Sequence, residues 1–245
     1  QVNLSRRLRA KCRAQEGLLF LYDKLRNSSP APTASYLNLA GREILSSSPE
    51  TFLRFSGAEV ETRPIKGTRP RFADPELDSR SAFDLQRSEK ERAELVMITD
   101  LLRNDLGQVC EFGSVQVTDM LQLEKLQHVH HLVSTIRGTL APEQSPLSAL
   151  ASCFPGGSIT GAPKKRATEI ISELEPVSRG LYTGAIGFLG FNGESQFNIA
   201  IRTLIHENGH LDYHVGAGIV ADSDPLAEFE ETEHKARGVR LALEP

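Results

Sequence analysis

Little in this sequence favours a charged macromolecular partner, a membrane or an oxidising compartment. Its 28 Lys and Arg residues are set against 32 Asp and Glu, a formal charge of -4. No net basic field is therefore available for nucleic acid or an anionic membrane surface. No apolar run approaches the ~20 residues needed to span a bilayer, and the opening QVNLSRRLRAKCRAQ lacks the apolar stretch of a secretory signal. The three cysteines, Cys12, Cys110 and Cys153, stand far apart and none lies in a CxxC pair, so neither a zinc ribbon nor a thioredoxin-like motif is present. A soluble protein of the reducing cytoplasm, acting on a small molecule and with no nucleic acid or membrane partner, is expected. The chain starts at Gln1 rather than Met and enters a structured segment at once, so an N-terminal portion is expected to be missing.

What is present suffices for one large domain or two small ones: 245 residues, 39% of them hydrophobic. Leu18, Leu21, Tyr22 and Leu25 recur at helical spacing between Gly17 and Arg26, and SSPAP ends that helix. From Ala34 to Arg63 short alternating segments broken by Gly41, Pro49 and Gly57 predict antiparallel strands. The charged run from Pro75 to Lys90 reads as a solvated segment. It leads into ERAELVMITDLLRND, where Leu95, Ile98, Leu101 and Leu102 make a helical stripe. Strands are predicted over Gly113 to Val117 and His128 to Ile136. A loop, FPGGSITGAP, then precedes the helix KKRATEIISELE with its apolar face through Ala167, Ile170, Ile171 and Leu174. YTGAIGFLGF, SQFNIAIRTLI and HLDYHVGAGIV read as three strands, and a final helix runs from about Pro225 to Leu243. Segregated strands and helices point to an α+β layered fold rather than a doubly wound parallel sheet.

Several groups are candidates for chemistry. Glu91 and Glu94 stand three residues apart on one helix, and Glu228 and Glu231 repeat that spacing on the last one. Such pairs are either ordinary solvated faces or carboxylates that converge on a hard cation such as Mg²⁺. The loop PGGSITGAPKKR brings backbone and hydroxyls to a helix start, a place suited to an anion. It is not a P-loop, because Ala162 and Pro163 stand where Lys and Ser or Thr should follow. Gly216 and Gly218 interrupt a strand, as a bulge or as the mark of a close ligand or backbone. Arg202, flanked by Ile199, Ile201 and Leu204, needs a partner if buried: a structural carboxylate, or a substrate carboxylate held by its fork. Lys66 lies among apolar residues and the cations Arg63, Arg69 and Arg71. Such surroundings favour a nucleophilic amine, while a solvated strand end would leave it inert. His128, His130 and His131 do not make a zinc triad, since the third points opposite to the other two on a strand.

Taken colinearly, QVNLSRR, SSPETF, RPIKGTRPR, ELVMITDLLRNDLG, VHHLVSTIRG, FPGGSITGAPKKRATEII, YTGAIGF, NIAIRT, VGAGIV and EFEETEHKA resemble the chorismate-binding enzymes. This family includes anthranilate, aminodeoxychorismate, isochorismate and salicylate synthases. The resemblance covers essentially the whole chain, read as one catalytic domain over residues 1–245. It implies a layered αββα sandwich of the anthranilate synthase component I type, here lacking its N-terminal portion. It also implies Mg²⁺ held by Glu94 and Glu231 with Glu91 and Glu228 in support, and a substrate pocket comprising Thr160, Gly161, Tyr182, Arg202, Gly216, Ala217, Gly218 and Lys235, with His131 beside it. The motif PIKGT resembles the branch that aminates chorismate at C4 on the route to para-aminobenzoate and folate, the aminodeoxychorismate synthases, whereas anthranilate synthases carry Ala in place of the lysine. The resemblance then makes Lys66 the nucleophile at C2 of chorismate and Glu50 the general acid for the departing C4 hydroxyl. Ammonia would come from glutamine through a partner amidotransferase, since no Gly-x-Cys-x-Gly nucleophile occurs in this chain. The competing expectations are anthranilate or isochorismate formation and, from a different class, a catalytically silent chorismate-binding module.

Overall fold

The computed structural model describes residues 1–12 and 18–243. In chain order its elements are β1 (Val2–Lys11), α1 (Leu19–Ser28), β2 (Ser35–Leu39), β3 (Arg42–Ser46), β4 (Thr51–Ser56), β5 (Glu59–Thr62), β6 (Ile65–Pro70), α2 (Pro75–Arg87), α3 (Glu89–Gly107), β7 (Gln116–Lys125), β8 (Val129–Thr139), α4 (Pro146–Cys153), α5 (Gly157–Thr160), α6 (Lys164–Leu174), β9 (Ala185–Leu189), β10 (Glu194–Ile199), β11 (Thr203–Glu207), β12 (His210–Ile219) and α7 (Pro225–Leu243). The α+β class expected from the sequence is what is found. No helix among the described residues is long and apolar enough to cross a membrane. The chain divides into two compact units: Gln1–Glu50 with Ile159–Ile186 and Asn198–Pro245, and Thr51–Ser158 with Gly187–Phe197.

The first unit is built on a five-stranded sheet of order β1-β12-β11-β3-β2. Every pairing between neighbours in it is antiparallel. Helices α1 and α7 pack on one another and on this sheet. Leu21 and Leu25 of α1, Val239 and Ala242 of α7, and Leu45, Leu204, Tyr213 and Val215 of the strands form one buried cluster. Helix α7 begins where the Asp224 carboxylate accepts the Ala227 N–H at 2.8 Å, a cap followed at once by Pro225. Its inward stripe, Glu228, Thr232, Ala236, Val239 and Ala242, follows the 3- and 4-residue steps of a helix face.

The second unit carries a seven-stranded sheet of order β6-β8-β5-β4-β10-β9, with β7 also paired to β8. Helix α3 packs on β6, β7 and β8. The Ser88 hydroxyl accepts the Glu91 N–H at its start, and Leu95, Ile98, Leu102 and Leu106 are its buried stripe. Phe55 meets Phe197 edge to face with ring centres 6.4 Å apart.

Several expectations need correction. The charged run after Pro75 is helix α2, not an irregular solvated segment. Asp74 caps it by accepting the N–H groups of Glu76 and Leu77, and Ser81, Ala82 and Leu85 give it a narrow buried face that the surrounding charges conceal. SQFNIAIRTLI is two strands, because Arg202 adopts φ +49° and breaks the run between β10 and β11. The strand expected from Gly113 starts at Gln116, the expected loop FPGGSITGAP contains the short helix α5, and β1, β6 and α4 are regular elements beyond those expected. Of the apolar face assigned to α6 only Ala167 is buried. Gly17, the expected first residue of the first helix, lies outside the described residues.

A polar link holds α2 to the second sheet. Asp78 of α2 accepts from His130 Nε2 at 2.8 Å, from the Phe72 N–H at 3.1 Å and from the Arg71 guanidinium at 3.3–3.4 Å. Hydrogen bonding from Arg71, aided by Phe72 and His130, holds the Asp78 carboxyl down at about 2 against an ordinary value of 3.8. Because the folded value is depressed, the stabilisation is complete above 3.8 and is lost as pH falls through about 2. The difference in urea midpoint between the unsubstituted protein and Asp78→Ala should therefore be constant near neutrality and narrow steadily below about pH 4; a gap that widens on acidification would contradict this. Leu95 is fully buried against Leu85 and Leu132, so Leu95→Ala should cost about 2–5 kcal/mol in urea unfolding. The exposed neighbour Val96, cut to Ala, should change stability by less than about 0.5 kcal/mol.

Candidate active site

The lysine-bearing cluster lies in the second unit, and a backbone peculiarity creates it. Strand β6 slips register against β8 between Lys66 and Thr68, and Gly67 between them has φ +73°. A methyl group at Gly67 would lie 2.7 Å from Leu85 Cδ1 and 3.2 Å from both Cβ and Oε2 of Glu91. Glycine is thus required twice, for its backbone conformation and for the close approach of α3. The strand brings Lys66 Nζ to 3.6 Å from Glu94 Oε2, both side chains being nearly buried at 14% and 12% exposure. Arg69 Nη1 lies 3.7 Å from Glu91 Oε1. His131 is buried on β8, its Nδ1 3.0 Å from Thr68 Oγ1 and 3.2 Å from the Gly67 carbonyl. Lys66 and Glu94 are thus in contact, and Glu91 and His131 flank the same turn of β6 at Gly67.

The first unit holds the other candidates. Glu50 is buried directly ahead of β4; its carbonyl accepts the Ile199 N–H and its own N–H reaches Ser48 Oγ. Arg202 is partly buried, and burial pushes its guanidinium below the usual value. Its hydrogen-bond contact is Ser29 Oγ at a long 3.5 Å, and among the described residues no carboxylate pairs with it. Its backbone adopts φ +49°, a conformation costing a non-glycine residue about 1 kcal/mol. Close by, Tyr213 is buried, and burial pushes its phenol up to about 12.

Gly216, Ala217 and Gly218 stand opposite Ser5, Leu4 and Asn3 in the β1–β12 register. A methyl group at Gly216 would fall 2.6 Å from the Leu4 carbonyl and 3.1 Å from the Tyr182 hydroxyl. This strand therefore stays bare where Tyr182 crosses it. Tyr182 stacks on His214 with ring centres 5.1 Å apart, and burial raises its phenol well above the ordinary value. Lys235 of α7 donates to the Gly216 carbonyl at 3.1 Å and to Glu231 Oε1 at 2.5 Å. Glu228, one turn before, is buried and accepts from Ser223 Oγ at 2.7 Å. Thr160, buried, ends α5, and Gly161 at φ +121° pairs with Val2. Tyr182, Gly216, Lys235 and Glu231 form one connected set.

The four glutamates stand as two pairs, one in each unit. Among the described residues no group of three or more His, Cys, Asp or Glu side chains forms a metal-binding cluster. By chemistry the pairs offer only hard carboxylate oxygens, the donor type Mg²⁺ takes. Sequence reasoning missed Thr68, Ser29, Ser223 and Arg179. Arg179 alone left a trace, the i, i+4 spacing from Glu175.

A family model described as chorismate binding enzyme matches residues 1–240. Anthranilate synthase component 1 of Streptomyces coelicolor is 50% identical over 244 residues, covering 99% of this chain and 47% of the relative. Aminodeoxychorismate synthase component 1 of Escherichia coli is 47% identical over 244 residues, covering 100% of this chain and 53% of the relative. The crystal structure of anthranilate synthase component I from Streptococcus pneumoniae superposes with a TM-score of 0.87 at 38% identity, over 97% of this chain and 52% of that one. The chain spans about half the length of the curated relatives it matches. A match that runs through both units, from the strand carrying Ser5 to the helix carrying Lys235, places this chain in the chorismate-binding enzyme family.

Proposed function

We propose that this chain is the catalytic portion of an aminodeoxychorismate synthase component I, which replaces the C4 hydroxyl of chorismate by an amino group to give 4-amino-4-deoxychorismate. The observation that carries this reading is Lys66: an almost buried amine beside Glu94, in the PIKGT motif by which this chain resembles the C4-aminating branch. Two relatives with that activity in their names, from Escherichia coli and Klebsiella aerogenes, are 47% and 46% identical over the whole chain.

The residues divide the work in a definite way. Arg202, Tyr182 and the backbone of Gly216, Ala217 and Gly218 bind the carboxylate groups of chorismate, the guanidinium as a fork. Thr160, Gly161, Lys235 and His131 are further assigned to the substrate by the family resemblance. Lys66 forms a bond from Nζ to C2. The ring double bonds shift, the C4–O bond breaks, and Glu50 gives its proton to the leaving hydroxyl, which departs as water. Ammonia then forms a bond to C4, the double bonds shift back, the C2–Nζ bond breaks, and the surplus ammonia proton returns to the carboxylate. Glu94 and Glu91 with Glu231 and Glu228 would hold Mg²⁺, which when bound neutralises the substrate's ring carboxylate. Ammonia is supplied from glutamine by a partner amidotransferase.

Incubating the protein with chorismate, Mg²⁺ and an ammonium salt, with products identified by mass spectrometry, tests the assignment. The expected product is 4-amino-4-deoxychorismate; anthranilate or isochorismate instead would overturn the role of Lys66 while keeping the family. Lys66→Ala should lose or divert amination while chorismate still binds. Glu50→Gln should lower turnover by about 10²- to 10⁴-fold, as removal of a general acid does. Full amination by Lys66→Ala would rule out the covalent route.

A further inference from the structure

Arg179 lies in the turn between α6 and β9, outside every motif used above, yet its side chain ties together three segments that bear proposed substrate groups. Nε donates to Glu175 Oε2 at 2.8 Å and Nη2 to Glu175 Oε1 at 2.6 Å. Nη2 also donates to the Asn3 carbonyl at 2.7 Å, and Nη1 to the Ile159 carbonyl at 3.0 Å. The guanidinium carbon sits 5.7 Å from the centre of the Tyr182 ring. Glu175 in turn accepts the Ser5 N–H at 2.8 Å, a donor on edge strand β1.

Apart from Glu175, each partner in this network neighbours a group assigned to chorismate. Ile159 immediately precedes Thr160 and Gly161. Asn3 and Ser5 stand opposite Gly218 and Gly216. Tyr182 crosses the bare strand at Gly216. The Arg179 and Glu175 side chains are 12% and 7% exposed. A buried ion pair is weak evidence for stability, because desolvation offsets its attraction. Its distinctive capacity is geometric, since a planar guanidinium fixes several acceptors at once and an ammonium cannot reproduce that.

We propose that Arg179 is a positioning residue for chorismate binding: its fork sets the Ile159 carbonyl, the edge of β1 and the Tyr182 ring relative to one another, and so shapes the pocket without touching substrate. The role rests on the functional reading above. It concerns affinity first, because none of the three segments carries Lys66 or Glu50.

The unsubstituted protein, Arg179→Lys and Arg179→Ala would be compared by calorimetric titration with chorismate in the presence of Mg²⁺, by steady-state kinetics and by circular dichroism. Arg179→Lys keeps the charge beside Glu175 and should fold, yet its Kd for chorismate should rise roughly 10- to 100-fold, with KM rising in parallel and kcat changing less. Methylguanidine should restore part of the affinity of Arg179→Ala. Native affinity in folded Arg179→Lys would overturn the proposal, as would a loss in Arg179→Ala that tracks the unfolded fraction and ignores methylguanidine. If the unsubstituted protein itself fails to bind chorismate, the functional reading falls, and this role with it.

Discussion

The close approach of strand β6 to helix α3 at Gly67 is the contact on which the lysine-bearing cluster depends. With a methyl group there, the Leu85 and Glu91 side chains would have to give way. The register slip at this glycine turns the chain so that Lys66 faces Glu94 while the Gly67 carbonyl and the Thr68 hydroxyl meet His131. One residue without a side chain thus sets three of the candidate groups. The buried stripe of α3 seats the helix, and the Asp78–His130 link ties α2, which supplies Leu85, to the same sheet.

In the first unit the constraint is different: polar groups there are held in place by backbone partners. Strand β12 is bare at Gly216 and Gly218: the Tyr182 hydroxyl faces the first, the Gln1 side chain faces the second, and Lys235 donates to the Gly216 carbonyl. Arg202 is kept in a left-handed conformation in the break between two strands, with a weak partner and no carboxylate among the described residues. Desolvation without pairing is unfavourable at rest and becomes favourable when an anion arrives.

The sequence made some of this legible and hid the rest for identifiable reasons. Periodicity revealed α3 and α7 because Leu95, Ile98, Leu102 and Leu106, or Ala236, Val239 and Ala242, repeat at helical steps. It failed for α2, whose buried face is only Ser81, Ala82 and Leu85 amid charges. It failed also for β1, an edge strand whose arginines are partly exposed and pair with Asp212 and Glu233. Arg202 looked like mid-strand because its flanking isoleucines and leucine are strand formers; only the backbone shows the break. Glu91/Glu94 and Glu228/Glu231 were readable as pairs, but not that Glu228 is buried against Ser223 while Glu231 is half-exposed beside Lys235. Proximity between Lys66 and Glu94, set by a non-local packing contact, left no mark in local spacing. Motif resemblance supplied what spacing did not.

The central claim is that the Lys66 amine is a reacting group. The most direct measurement is to incubate the protein with chorismate and Mg²⁺ without any ammonia source, quench, digest, and map adducts by mass spectrometry. A peptide containing Lys66 that gains the mass of chorismate less one water, and loses it when ammonium is added before the quench, is the result expected. Product formed with ammonium while Lys66 stays unmodified at every time point, and substitution of Lys66 leaves the rate unchanged, would contradict it.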